Sequence, residues 1–187
     1  MTGPFLFHAA TTLLPGTDAL LPASAIAAID DAAYRRMMAA YDDSPERRRL
    51  RDTVVPVIGL RWTEVVFLSP IHPHAFWSAW REITGEELPP RDFWAIPLDA
   101  VPRDAVVFDR TTSAVGDPIH DAEVVPLVRE AYRASSRTTD ANRAWLRRLA
   151  ASGRRGAWFN LTPHVLTARP VPLDGASTVS WDRPPGI

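Results

Sequence analysis

Five histidines are the side chains here best suited to moving protons near neutral pH: His8, His72, His74, His120 and His164. A metal site would need about three of them to converge. His72-Pro73-His74 is a poor chelate by spacing, and no HExxH helix is present, so no metal is expected. Ser69 lacks the GxSxG turn of a serine nucleophile and reads as a strand end before a helix cap. Four acids, Asp109, Asp117, Asp121 and Glu123, cluster in one loop. Paired acids of a glycoside-cleaving site would have to flank a cleft, and loop acids are usually solvated. His8 alone in an apolar strand reads as a core or surface histidine.

Those residues must be held by the surrounding elements. Val54 to Trp80 is the central stretch: a β-branched apolar run, a break at Ser69-Pro70, two histidines, then a Trp-rich helix from Pro73 to about Ile83, stopped by Gly85. Within it, 54–60 and 62–68 read as strands with a turn or bulge at Gly59. Phe76, Trp77 and Trp80 share one helix face, as core packing requires. Upstream, 4–10 reads as a buried strand, and Ser24 as the cap of one helix over 25–41. Ser44-Pro45 starts a short helix carrying Arg47, Arg48, Arg49 and Arg51, a solvated face or an anion-binding edge. Downstream, strands are expected at 92–98 and 105–109, a broken helix over 121–134, a helix over 139–152, and closing strands at 156–161, 164–168 and 177–181. The irregular alternation argues for an α+β fold with a largely antiparallel sheet, in one domain over 1–181 with a loose tail at 182–187.

Composition narrows the class. All 21 basic residues are Arg, and the net charge of −1 gives no global attraction to nucleic acid or anionic lipid. With no Cys, disulfides, thiolate catalysis and Cys-bound zinc are excluded. The first residues have no basic region followed by an apolar core, and no run approaches a membrane span, so a cytoplasmic protein is expected.

Three segments, in order, resemble the ADP-ribosyltransferase-like fold, nearest to the DarT-type DNA-targeting ADP-ribosyltransferases and distantly to the rifampin ADP-ribosyltransferases. Phe5-Leu6-Phe7-His8-Ala9-Ala10-Thr11 resembles the opening strand, an aromatic-His motif followed by Thr. Arg47 to Arg51, Val55-Pro56 and VVFLSPIHP resemble the basic stretch leading to an aromatic strand with a polar-Pro turn. Pro163-His164-Val165-Leu166 with Pro170-Val171-Pro172-Leu173 resembles the late strand pair. The resemblance implies a split antiparallel sheet with NAD, as substrate, bound between its halves, and nucleic acid as a partner by family analogy only. It implies that His8 holds a ribose hydroxyl, with Thr11 beside it in the same motif. It implies that Phe67 or Trp62 forms the aromatic wall, Arg49 or Arg51 holds the pyrophosphate, and Ser69 makes a polar contact. The sequence departs from the family at the late-strand Glu, where it has His164. A carboxylate there would stabilise an oxocarbenium-like cation, which an imidazole cannot do.

Three readings follow. In the first, the chain is an NAD-binding enzyme of this fold, with Glu123 or Asp121 supplying the carboxylate from a loop. In the second, His8 and His164 form an acid–base pair acting on a small metabolite without NAD. In the third, the chain binds a small-molecule or nucleotide ligand without catalysis. His8, Phe67 and His164 are expected to meet in one cleft.

Overall fold

The strand expected first forms because a run of apolar and aromatic residues can be buried on both faces: Phe5–Ala9 is β1, with Leu6 and Phe7 buried. The computed structural model describes residues 4–39, 41–42 and 44–186. β2 (Ala19–Leu20) follows a turn-rich stretch.

The single helix expected over 25–41 is two: α1 (Ala23–Ile29) and α2 (Asp31–Ala39). Asp30 breaks them. Its backbone is extended (φ −145°, ψ 93°), and its carboxylate accepts the Ala33 N–H at 2.9 Å, so it starts the next helix. Ser24 lies inside α1, and Pro22 holds the cap position. The expected apolar face is barely used. α1 buries only Ala23, α2 buries nothing, and Ile29 and Met37 are 54% and 40% exposed.

α3 (Pro45–Leu50) begins as expected, with Ser44 Oγ accepting the Arg47 N–H at 3.2 Å. A small hairpin follows, β3 (Val54–Val55) and β4 (Leu60–Arg61), then a helical turn at Trp62–Glu64 and β5 (Val66–Leu68). The two long strands read from the sequence are therefore three short ones. Gly59 takes the positive φ of the hairpin turn, but so does Val57, at φ 69° and 69% exposed. A β-branched residue there is strained by about 1–2 kcal/mol. Val57→Gly should therefore raise stability by about 1 kcal/mol, seen as a higher urea midpoint. An unchanged midpoint would show that the turn relaxes around valine at no cost.

α4 (His74–Thr84) ends at Gly85 in the left-handed region (φ 75°). β6 (Asp92–Pro97) and β7 (Val106–Phe108) lie where expected. The broken helix expected over 121–134 is absent. Instead Val124–Pro126 forms β8 at a sheet edge, where β-branched residues suit a strand and Pro126 interrupts no inner ladder. α5 (Asp140–Ala151) is capped by Thr139. The strand expected at 156–161 is a turn, with Ala157 and Leu161 both at positive φ. β9 (His164–Thr167), β10 (Val171–Pro172) and β11 (Ser177–Ser180) close the fold.

The chain is α+β, and every ladder between its strands is antiparallel. Two sheets dominate, one ordered β1-β6-β11 and the other β5-β9-β7-β8. They meet at one bridge, where Phe7 and Ser69 exchange backbone hydrogen bonds of 2.9 and 2.7 Å. One core packs Leu6, Leu68, Ile96 and Val165; another packs α4 and α5 against Phe93 and gathers five of the seven Trp. That concentration makes the Trp-rich helix a core element. Among the described residues no helix is long and apolar enough to cross a membrane.

Candidate functional site

Alternation along β1 and β5 decides which side chains can meet. Phe7 and Ser69 are bridged and point to the same side, so the next residue along β1, His8, points to the other. His8 stands opposite Trp94 of β6. His164 faces Phe108 in the register of β9 with β7, and its ring meets Phe67 edge-on at 6.1 Å. Val165 pairs with Leu68, so His164 lies in register with Ser69, on the side His8 avoids. The two histidines sit roughly two strand spacings apart, about 10 Å, with side chains on opposite faces. They do not form a pair.

A cavity of about 220 Å³ opens where the sheets part. β1 contributes His8; the edge of β5 not bonded to β9 contributes Val66 and Phe67. The segment after β1 supplies Thr11 and Thr12, and α1 and α2 supply Ile26 and Met37. Tyr41 and Trp62 complete it. Of the residues expected in a site, His8, Thr11, Trp62 and Phe67 share this cavity. The Trp62 ring lies 4.4 Å from that of Phe67.

His8 is half-buried, and its Nδ1–H donates to the Ala9 carbonyl at 2.8 Å. A carbonyl only accepts, so the proton is on Nδ1 and Nε2 is left as an acceptor. Burial pushes its pKa below the ordinary 6.5; the bond to Ala9 opposes this and the Arg91 charge adds to it. His8 is therefore a neutral acceptor at neutral pH, the form that can take a hydrogen bond from a ligand hydroxyl.

The remaining expected site residues lie elsewhere. His164 does not line the cavity. Burial holds its pKa at about 4, helped by the nearby Arg110 charge, and its Nδ1–H donates to the Thr162 carbonyl at 2.9 Å. Ser69 is buried and occupied locally, donating to the Ile71 carbonyl at 3.0 Å and accepting its N–H at 3.1 Å. Glu123, expected in a solvated loop, is 3% exposed. Its carboxylate accepts the N–H groups of Thr112 at 2.7 Å, Ser113 at 2.9 Å and His120 at 3.1 Å, so it fastens the loop and does not reach the cavity. Arg49 faces away, on a groove with Val54 and Ile119. Asp121 lies on that groove too.

Arg51 lies closer. A second, open cleft of about 530 Å³ carries Arg35, Arg51, Arg61, Asp42 and Asp52, and Thr63 borders both this cleft and the cavity. Arg51 pairs with Asp42 at 3.1 Å and Arg61 with Asp52 at 3.9 Å. Tyr41, Thr63 and Arg61 are additions that sequence reasoning missed. Arg61 stood beside Trp62 in the sequence, and its proximity to the Val54–Trp80 stretch was the available signal.

His72 and His74 stand at the start of α4, where His72 Nδ1 accepts the His74 N–H at 3.2 Å. His72 is 4% exposed, and burial, with the neighbouring His74, holds its pKa at about 4. His74 donates from Nδ1 to the Trp181 carbonyl at 2.8 Å and stacks on Trp77. Among the described residues no three His, Asp or Glu converge to hold a metal ion.

No family model, no curated protein and no solved structure matches the chain. The residues at the cavity can be set against NAD directly. The free Nε2 of His8, the aromatic wall and the adjoining Arg cleft fit the binding of a nucleotide. The transfer chemistry does not fit: among the described residues no Asp or Glu lines the cavity to face a developing cation.

Proposed function

We propose that the chain binds a nucleotide, NAD or a related small molecule, at the seam of an ADP-ribosyltransferase-like split sheet. The observation that carries this reading is the arrangement of the cavity: an uncharged, aromatic-walled chamber with a free His8 Nε2, joined through Thr63 to a cleft with three Arg. The uncharged ring or sugar of the ligand occupies the chamber, and its phosphates lie toward Arg51 and Arg61, whose planar guanidinium groups suit phosphate oxygens. The volume is below the ~300 Å³ of sites that enclose a whole drug-sized ligand, so one ring-bearing part enters and the rest stays outside.

The lack of a lining carboxylate favours binding without transfer of ADP-ribose. Calorimetric titration with NAD, run beside an assay for released nicotinamide, tests both parts. Heat without nicotinamide is the expected result; no heat at millimolar NAD and ADP-ribose would reject nucleotide binding.

His8→Phe, which keeps bulk and removes the acceptor, should weaken binding about 5-fold, the ~1 kcal/mol of one hydrogen bond. The wild-type affinity should hold at neutral pH and fall in acid, as His8 takes a proton below its ordinary range and loses its lone pair. A flat pH profile from 7 to 4 would remove His8 from the ligand's contacts.

A further inference from the structure

We infer that the cavity selects an uncharged ring and rejects a cationic one, so that reduced nicotinamide nucleotides bind and oxidised ones bind poorly. This rests on the nucleotide-binding reading above and specifies its ligand class.

The argument starts from the lining. Among the described residues His8 is the single basic side chain on it and is neutral; the polar remainder includes Tyr41 and four threonines. The acids nearest in sequence do not help. Asp18 and Glu64 flank lining residues without lining the cavity themselves, and Glu64 is turned to the Arg61 N–H at 2.8 Å. Asp42 and Asp52 stand in the adjoining cleft and are paired with Arg. Two positive charges act on lining residues: Arg91 acts on His8, and the Arg47 guanidinium lies 5.5 Å from the centre of the Tyr41 ring.

A cation can be held by aromatic faces in place of a carboxylate. Here the rings already have partners. Tyr41 has Arg47 over it, and Trp62 packs on Phe67 at 4.4 Å and meets Phe108 edge-on at 5.7 Å. A pyridinium entering the chamber would give up water, meet no carboxylate among the described lining residues, and at Tyr41 find a guanidinium already over the ring. The dihydropyridine of the reduced nucleotide has the same outline and no charge, and its carboxamide can donate to His8 Nε2.

The test is a paired titration by calorimetry at pH 7.5 with NADH and NAD, and with the reduced and oxidised mononucleotides. Each pair shares its phosphates and differs in ring charge. The expected result is binding of the reduced member at least 10-fold tighter in both pairs. Thr12→Glu, a change at an exposed residue on the cavity wall, supplies the missing carboxylate and should cut that ratio to about 3-fold or less. Equal affinities, or tighter binding of the oxidised forms, would overturn this inference and leave nucleotide binding standing. A ratio unmoved by Thr12→Glu would overturn it too, placing the ring outside the cavity. No binding of any of the four would reject the nucleotide reading and this inference together.

Discussion

Asn142→Ala should lower the stability of the fold by about 3 kcal/mol, read as a reduced urea midpoint with an unchanged slope. Asn142 is fully buried on α5. Its Nδ2 donates to the carbonyls of Trp158 at 2.8 Å and Asn160 at 2.7 Å, and its Oδ1 accepts the Thr138 hydroxyl at 2.7 Å. Alanine would remove all three hydrogen bonds, at about 1 kcal/mol each. A better helix former recovers only about 0.5 kcal/mol. The loss has a place as well as a size. Thr139 Oγ and the Trp145 indole hold the same turn, bonding to the carbonyls of Leu161 and Ala157. Both of those residues sit at positive φ, and the chain runs from there into Pro163 and His164. Amide exchange should therefore quicken first over 157–164. A cost under 1 kcal/mol would mean that the turn finds other partners.

Glu123→Gln should cost about 2 kcal/mol at pH 7 and flatten the acid limb of the stability curve. Burial by itself would raise the pKa of Glu123, but the bonds from Ser113, Thr112 and His120 outweigh it and hold it at about 2. A depressed carboxyl stabilises the fold above its ordinary pKa of 4.5, and that contribution fades as pH falls toward 2. The histidines act in a separate window. His72 and His164 fall from 6.5 to about 4 in the folded chain, so the unfolded chain takes up protons first and stability drops between those values. Urea melts at pH 7, 4.5 and 2.5 separate the two. Wild type should lose stability across both intervals and Glu123→Gln across the upper one alone. Equal slopes in both proteins below pH 4.5 would assign the acid limb to other carboxyls.

Much of the scaffold was legible in the sequence because local signals agreed with the global arrangement. Ser44-Pro45, Thr139 and Gly85 mark helix ends by cap chemistry that needs no tertiary partner. Phe5–Ala9 and Asp92–Pro97 are strands by composition and are strands in the fold. The failures share a cause. Residues 121–134 and 156–161 carry the spacing of regular elements, but a sheet edge takes the first and α5 side chains dictate the second. Asp30, within the one helix expected over 25–41, divides it in two through its hydrogen bond to Ala33, a cap that the sequence reading did not assign. For the site, the motif order pointed to His8, Thr11, Trp62 and Phe67. The pairing register turns His8 and His164 to opposite faces, and a one-residue register is not readable from sequence; Phe67 shares the face of His164 and still lines the cavity with His8. Glu123 was misjudged because its burial comes from the backbone of its own loop folding over it.

The bridge between Phe7 and Ser69 makes the molecule a structure with a fault line. Two backbone hydrogen bonds, each contributing roughly 1 kcal/mol net, are the whole of the main-chain stitching between its sheets at that point. Under load or heat the halves should part there before either sheet frays. A small molecule lodged in the cavity touches β1 on one bank and β5 on the other. It would act as a rivet, and its stabilising effect should be felt most by the amides of Phe7 and Ser69.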